Sequence, residues 1–487
     1  MFKLSEKENL VEELENSYRK YKTFIYYDNH SAIQRQRIAE FEYEHFYKNP
    51  DNDYFNENKK DSEENIFEKL AKEIINKDIK KYLKKAEVLA FPKKMEKQES
   101  EIITNFNEIT TDINQIHYFI DLPVEAQILG VLWILRCGYI LDDKAYDFNC
   151  YGNRLNKTLL ESLKKKEKSQ FSPFLFEPYY KKYESWRDGA LEKVKKIVEE
   201  GNDAIMISLD FKNYYYSSLI DFKALKEDLK LGRQRIHGTE SENKINDTLT
   251  EFVEGIFEKY QSKFSKPPNL TKTYPFIPLG FLPSLIIANW NLQGFDQTII
   301  EDVQPAYYGR YVDDILIVLK SHPKSESHGD HFFKGQTVES IIEKYFMENK
   351  EYPSNKIFYF KEEENKDECE KTQKSIKVHN LKNRNQEDVE FHYENLEIQE
   401  DKVKLYTFNH ENSTTIIDNF KKKILQNTSE FKLMNDTDKL FSEFEDQLFK
   451  IDYAESINKL NNINKQDIKI TISCFINPPN ILYNVKM

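Results

Sequence analysis

Cysteine is scarce in this 487-residue chain: Cys137, Cys150, Cys369 and Cys474 are widely spaced, with no CxxC pair and no histidine cluster beside them. That spacing argues against structural zinc, and a chain this long has no need of a disulfide framework. Long apolar runs are also missing. The longest, ILGVLWIL from Ile128 to Leu135, is too short for the roughly 20 residues that span a bilayer. The opening MFKLSEKENLVEELENSY has no apolar core of the kind a secretory leader carries, so a reducing cytoplasm and no membrane are expected. There is no internal repeat. Nor is there an excess of positive charge. The formal net charge of −12 argues against a protein that simply coats nucleic acid, while leaving room for an enzyme with one local basic channel.

What the chain does have is aromatic bulk. Its 34 Phe and 30 Tyr set it apart from disordered chains despite a charged fraction of 32%. Those rings supply core volume as well as faces on which nucleobases can stack. Apolar spacings of three and four predict charged helices up to about Thr110, with a break at Pro92. The net-basic stretch from Asn58 to Gln98 reads as a solvated helix face. Pro123 opens a strongly apolar helix ending near Gly138, and a basic helical piece, LNKTLLESLKKKEK, follows the CYGNRL loop. A helix from Ala190 to Glu200 is stopped by Gly201-Asn202, and AIMISLDF then reads as a strand. IPLGFLPSLIIANWNLQGF is a turn feeding a buried helix, RYVDDILIV a pair of short strands around a tight turn, and HFFKGQTVESIIEKYF an amphipathic helix. Lys361 to Glu390 reads as a charge-rich insertion, and YENLEIQEDKVKLYTF as a hairpin turning at Glu400-Asp401. Helices are expected from Thr414 to about Ile463.

Two stretches place carboxylates at strand ends: Asp210 in SLDFKNYYYS, and Asp313-Asp314 inside an apolar β-favouring run. An Asp-Asp hairpin tip with Tyr311, Ile315 and Ile317 anchoring its arms exposes both carboxylates. If Asp210 ends a neighbouring strand, three carboxylates meet and repel, and two oxygen-preferring cations relieve the repulsion. Two such ions suit in-line displacement at phosphorus. The pair Asp142-Asp143 makes a contrast, since it follows a helix with no β-branched run after it and reads as a helix-exit turn.

Taken in order, SLDFKNYYYS, IPLGFLPSLIIAN and YGRYVDDILIV resemble the palm motifs of reverse transcriptases, most closely the bacterial group associated with abortive infection and phage defence. The first motif is met by Asp210, Tyr214 and Tyr215, and the second by Pro278, Gly280, Ser284, Ala288 and Asn289. The third is met by Tyr311, Val312, Asp313 and Asp314, with separations of about 70 and about 25 residues between motifs. The resemblance covers Ile205 to Val318. It implies an α+β fold: a right-hand palm of antiparallel strands backed by helices, helical fingers and a helical thumb-like C-terminal region. The expected divisions are 1–110, an N-terminal helical region at the start of the fingers, and 111–200, the fingers. The palm would occupy 201–345, the charged insertion and palm end 346–392, and a hairpin with the thumb 393–487.

Residue by residue, the resemblance implies that Asp210 and Asp313 ligate two magnesium ions, that Asp314 has a lesser share, and that the Phe211 carbonyl is a further ligand. Tyr215 takes the position of the aromatic gate against a 2′-hydroxyl, and Gly280 belongs to the substrate-binding second motif. Arg154 in CYGNRL reads either as a triphosphate contact or as a structural salt bridge. Lys320 and Lys356 are rival general acids for the pyrophosphate, and Tyr214 and Tyr216 are conceivable priming hydroxyls. Two departures stand out: Leu279 replaces the family's glutamine, and Phe281-Leu282 its Ser-Pro. The implied activity is RNA-directed DNA polymerisation from deoxynucleoside triphosphates in the cytoplasm of a bacterium. RNA would serve as template or non-coding scaffold, and homo-oligomers are frequent in the group. Template-independent or protein-primed synthesis, and a catalytically silent RNA-binding scaffold, are the alternatives.

Overall fold

A computed structural model of the chain describes residues 4–27, 32–47, 65–95, 113–145, 149–165, 174–236, 239–264, 274–320, 337–347, 356–363, 373–382 and 390–410. All of these belong to the compact unit that ends at Thr414. The expected divisions at 110, 200, 345 and 392 fall inside that unit. The C-terminal helices and β-like tail expected from Thr414 onward lie outside the described residues.

The fold is α+β with antiparallel sheets. Helices α1 (Leu4–Tyr27), α2 (Ala32–Glu42) and α3 (Ile66–Ile75) come first. The pair β1 (Glu87–Met95) and β2 (Ile113–Asp121) follows. The first 110 residues are therefore not all helical. Pro92 does not end the element; it sits within β1 opposite Ile116, beside an irregularity in the register, a position where a strand tolerates proline.

The apolar run after Pro123 builds α4 (Val124–Trp133), a π-helical turn (Ile134–Gly138) and α5 (Tyr139–Lys144). Joined end to end, Val124–Lys144 is long and apolar enough to cross a bilayer, longer than the eight-residue run suggested. Ile128, Leu129, Val131, Leu132 and Trp133 are instead fully buried against neighbouring protein. The Trp133 indole donates to Thr250 (3.1 Å), and Arg136 reaches Glu13 on α1 (2.5 Å). Asp142-Asp143 does not follow the helix but forms its last turn, where Ala145 N donates to Asp142 O (3.1 Å). Asp142 lies within α5 and is 1% exposed.

After α6 (Lys157–Lys164), α7 runs from Tyr179 to Glu199, eleven residues earlier than expected at its start, and Gly201 ends it at φ +77°. Glycine is the residue that adopts this left-handed backbone without steric cost. Then come β3 (Ala204–Asp210), α8 (Tyr214–Ser217), α9 (Phe222–Ile236), α10 (Glu240–Ser262), α11 (Pro283–Asn291) and α12 (Gln293–Thr298). The chain continues through β4 (Tyr307–Tyr311), β5 (Asp314–Lys320), α13 (Val338–Phe346), β6 (Phe358–Glu363) and β7 (Gln373–Val378). The last described elements are β8 (Leu381–Lys382), β9 (Glu390–Phe391) and β10 (Lys404–Phe408).

The central sheet has the order β10-β3-β5-β4, antiparallel throughout. β3 and β5 are its inner strands and are apolar on both faces: Ile205, Ile207, Ile315 and Ile317 are at most 1% exposed, as is Met206. One face packs under α7, whose Trp186 indole donates to the Gly309 carbonyl (2.9 Å) while Tyr307 donates to the Trp186 carbonyl (2.6 Å). The other face is covered by α11 and α12, where Phe211 meets Phe295 edge-on at 5.4 Å.

Two late segments differ from expectation. The charge-rich stretch 361–390 contains β7, paired along its length with β6, so part of it is ordered sheet. Nor does 393–408 fold on itself as a hairpin. Glu400–Lys402 forms a 3₁₀ turn and β10 pairs with β3. An apolar strand edge recruits a partner wherever the chain can reach it, and here the partner lies about 200 residues downstream.

Truncating Ile317, on the inner strand β5, should leave a cavity the sheet cannot close. Ile317→Ala is expected to cost about 2–5 kcal/mol in urea unfolding, with the fold retained by circular dichroism.

Candidate functional site

The β3–β5 register runs from Ala204↔Lys320 to Asp210↔Asp314. The last pair sets two carboxylates directly opposite each other, at the roughly 4.5–5.5 Å Cβ spacing of such pairs. Like charges so placed repel. The β4–β5 turn consists of Val312 and Asp313, because Tyr311 pairs with Asp314. Asp314 is thus the first residue of a strand, and only Asp313 stands at the tip. The expected Asp-Asp turn is shifted by one residue.

Val312 has φ +59°. A β-branched residue in the left-handed region is strained, and such strain persists only where surrounding contacts over-determine it. The contacts here are identifiable. Arg310 Nη1 donates to the Val312 carbonyl (2.7 Å) and to Asn289 Oδ1 (3.1 Å). Its Nε and Nη2 grip both oxygens of Asp296 at 2.7 Å each, and Tyr308 donates to the same carboxylate. Arg310 and Asp296 are fully buried. Burial opposes the Arg310 charge most strongly, but Asp296, together with Cys150 and Tyr308, holds the guanidinium well above its ordinary pKa.

The CYGNRL loop closes over this turn. Tyr151 N donates to Arg310 O (2.8 Å) and Arg310 N to Asn149 O (2.6 Å). Asn289 Nδ2 donates to Gly152 O at 2.8 Å. A Cβ on Gly152 would lie 2.7 Å from the Val312 methyl and 2.8 Å from its backbone nitrogen, so only glycine allows this approach. Arg154 itself turns inward, away from any substrate. It is 5% exposed, with Nε on Asp142 Oδ1 (2.9 Å), Nη2 on Asp142 O (2.9 Å) and Nη1 on Cys150 O (3.1 Å). Of its two readings, the structure gives the salt bridge.

Tyr215 sits in the one-turn helix α8, half-buried. Burial, then the charge of Asp313, pushes its hydroxyl well above the ordinary tyrosine range, while a hydrogen bond with Asn153 opposes the shift. Tyr215 is therefore next to the acidic tip, and its carbonyl accepts from Ile277 N (3.1 Å). The segment 277–280 is thereby brought to the same place. Gly280 has φ +91° and is exposed; a Cβ there would meet Ile120 O at 3.0 Å. Its carbonyl accepts from Gln127 Nε2 (2.8 Å), and that of Leu279 from Ile120 N (2.8 Å).

Tyr214 and Tyr216 do not offer free hydroxyls. Tyr214 is buried and donates to Ala288 O (2.6 Å), and the Tyr216 oxygen accepts from Tyr118 N (2.8 Å). Lys320 lies at the far end of β5, about 20 Å from Asp314 by strand rise, where it pairs with Glu200 at 3.2 Å. That distance removes it as an acid at this site. Lys356 is exposed, just before β6.

Asp210 is held instead by a lysine that local sequence did not signal. Lys402 Nζ is 2.6 Å from Asp210 Oδ2. The surrounding backbone is tied in as well: Gln399 N donates to Asp210 O and Lys212 N to Glu397 O, each at 2.8 Å. This pattern flanks the Phe211↔Ile398 bridge, so the Phe211 carbonyl points away from Ile398, toward the β5 side. On the α7 face, burial and then Asp314 raise the Tyr183 hydroxyl pKa, and the Tyr183 ring meets Tyr311 edge-on at 5.3 Å.

As they stand, no three carboxylate, imidazole or thiolate side chains among the described residues are grouped closely enough to hold a metal ion. The donor chemistry nevertheless fits a hard divalent cation. Two carboxylates repel across one strand pair, a third stands beside them, a backbone carbonyl faces the same side, and Asp210 already binds a cationic group. Compared with known proteins, the chain matches no family model and no curated sequence.

The Arg310–Asp296 pair tests what supports the turn. Asp296→Ala should strand a buried guanidinium and cost about 3–5 kcal/mol in denaturant unfolding, whereas Arg310→Met combined with Asp296→Leu should cost less than that single change.

Proposed function

We propose that this chain is a nucleotidyltransferase that makes DNA, a reverse-transcriptase-like polymerase whose palm is the β10-β3-β5-β4 sheet with the helices on its two faces. One observation carries the reading. Three carboxylates named from two motifs about 100 residues apart, Asp210, Asp313 and Asp314, come to one end of one strand pair, with Tyr215 beside Asp313. Magnesium ions held by these carboxylates and the Phe211 carbonyl would supply activation of the attacking 3′-hydroxyl and neutralisation of the departing pyrophosphate.

The remaining work falls to the protein. Arg310, Asn289 and Gly152 hold the tip in its strained geometry, and rigid placement of this kind is what phosphoryl transfer asks of an enzyme. Tyr215 walls the side where a ribose 2′-hydroxyl would sit, discriminating by clash. RNA is the expected partner, antiphage defence in a bacterial cytoplasm the expected setting, and the fingers would include the β1–β2 pair.

Leu279 favours a second reading of the same site. Its carbonyl is committed to Ile120 and its side chain brings no polar group to a template base. Synthesis with little or no template dependence is consistent with that position. An RNA-binding scaffold without catalysis is disfavoured, because a silent site has no reason to keep repelling carboxylates in register.

Purified full-length protein given magnesium, single or mixed dNTPs, and RNA or none should incorporate nucleotide. Asp313→Ala with Asp314→Ala should lower incorporation roughly 100-fold or more; unchanged incorporation would leave only the scaffold. Sequencing the product separates copied from uncopied DNA. Tyr215→Ala should raise the use of ribonucleotides relative to deoxynucleotides by roughly tenfold, read from competing incorporation of both.

A further inference from the structure

We propose that Lys402 is a built-in counter-ion for Asp210 that competes with divalent-ion binding and so sets the ion concentration at which the site assembles. The inference rests on reading the acidic trio as an ion site and adds its regulation.

Asp210 is mostly enclosed, with a side chain 13% exposed, and Lys402 approaches it from solvent with a side chain 46% exposed. The ammonium is delivered by a defined route. Backbone hydrogen bonds on both sides of the Phe211↔Ile398 bridge pin residues 397–399 alongside residues 210–212. Glu397 is itself held by Lys212 at 3.0 Å and Lys377 at 2.5 Å. The 3₁₀ turn Glu400–Lys402 then places the lysine over Asp210, and β10 continues along β3. A rigid tether under a flexible side chain suits a plug: the ammonium returns to one spot, yet its four-carbon stem can swing away without moving the strand.

The geometry also accounts for the ungathered carboxylates. Asp210 is engaged by Lys402 on its outer side, and Asp314 across the ladder faces α7 and Tyr183. An ion that takes the Asp210 Oδ2 oxygen must break the lysine contact. A partly exposed ion pair is weak, so a divalent cation with several oxygen ligands can displace it.

The test uses the full chain, without nucleotide, and manganese as the probe, with free ion measured by electron paramagnetic resonance. Lys402→Met keeps the stem and removes the charge. Its Asp210-dependent manganese binding should reach half-saturation at a concentration about three- to tenfold lower than wild type. Lys402→Arg keeps the charge and should remain near wild type. Asp210→Asn defines the Asp210-dependent component. If that component exists and Lys402→Met leaves it unchanged or weaker, the counter-ion role is wrong while the ion site stands. If no variant or wild type shows an Asp210-dependent component, the ion-site reading and the proposal fall together. Thermal unfolding of Lys402→Met, an exposed change, should match wild type and excludes misfolding as a cause.

Discussion

The pairing of β3 with β5 is the constraint on which the rest of this structure depends. Side chains alternate along a strand, so a shift of one residue would send every apolar side chain of β5 to the wrong face. Burial of Ile205, Ile207, Ile315 and Ile317 on one side and Met206 and Val318 on the other therefore holds the register firmly. Once that register is set, Asp210 and Asp314 have no freedom to avoid each other at its end. Core packing, an interaction with no chemistry of its own, enforces an electrostatic conflict in a chosen place.

The conflict is contained by charges drawn from distant parts of the chain. Lys402 answers Asp210 from the outside. On the opposite face, Arg310 and Asp296 form a fully buried pair beneath the tip, tied to Asn289 on α11 and to the Val312 carbonyl. Buried ion pairs are poor sources of net stability, because desolvation offsets most of their attraction. Their value here is geometric: a planar guanidinium with its donors occupied leaves the turn one conformation, and the left-handed Val312 is the strain that conformation carries. Gly152, too close to the turn for any side chain, completes the enclosure from the CYGNRL loop.

That loop illustrates how a motif-sized reading can name the right stretch and the wrong residue. CYGNRL does belong to the site, through Gly152 and Asn153, whereas Arg154 is spent on Asp142 inside the core. An arginine flanked by small polar residues looks available in sequence. Whether it is depends on a carboxylate twelve residues earlier being buried on the same side, which spacing alone does not reveal. The same limit applied to Asp142-Asp143, read as an exit turn, and to Lys320, whose distance from Asp314 follows only from the direction of β5.

Local periodicity was enough to identify the inner strands, the hairpin of RYVDDILIV with its turn one residue too late, the buried helix after Gly280 and the apolar helix after Pro123. Each is specified by neighbours within a few residues, where alternation, a turn or a cap leaves a signature. The three aspartates were legible for a related reason, since charge inside an apolar run is costly and therefore conspicuous. Tertiary structure alone decided the rest: that β10 completes the sheet, that β1 and β2 pair, that part of the charged stretch 361–390 is strand, and that Lys402 and Asp296 serve the site. These depend on which edge or charge is left unpaired after the core has formed, a quantity that belongs to the assembled fold and to no window of residues within it.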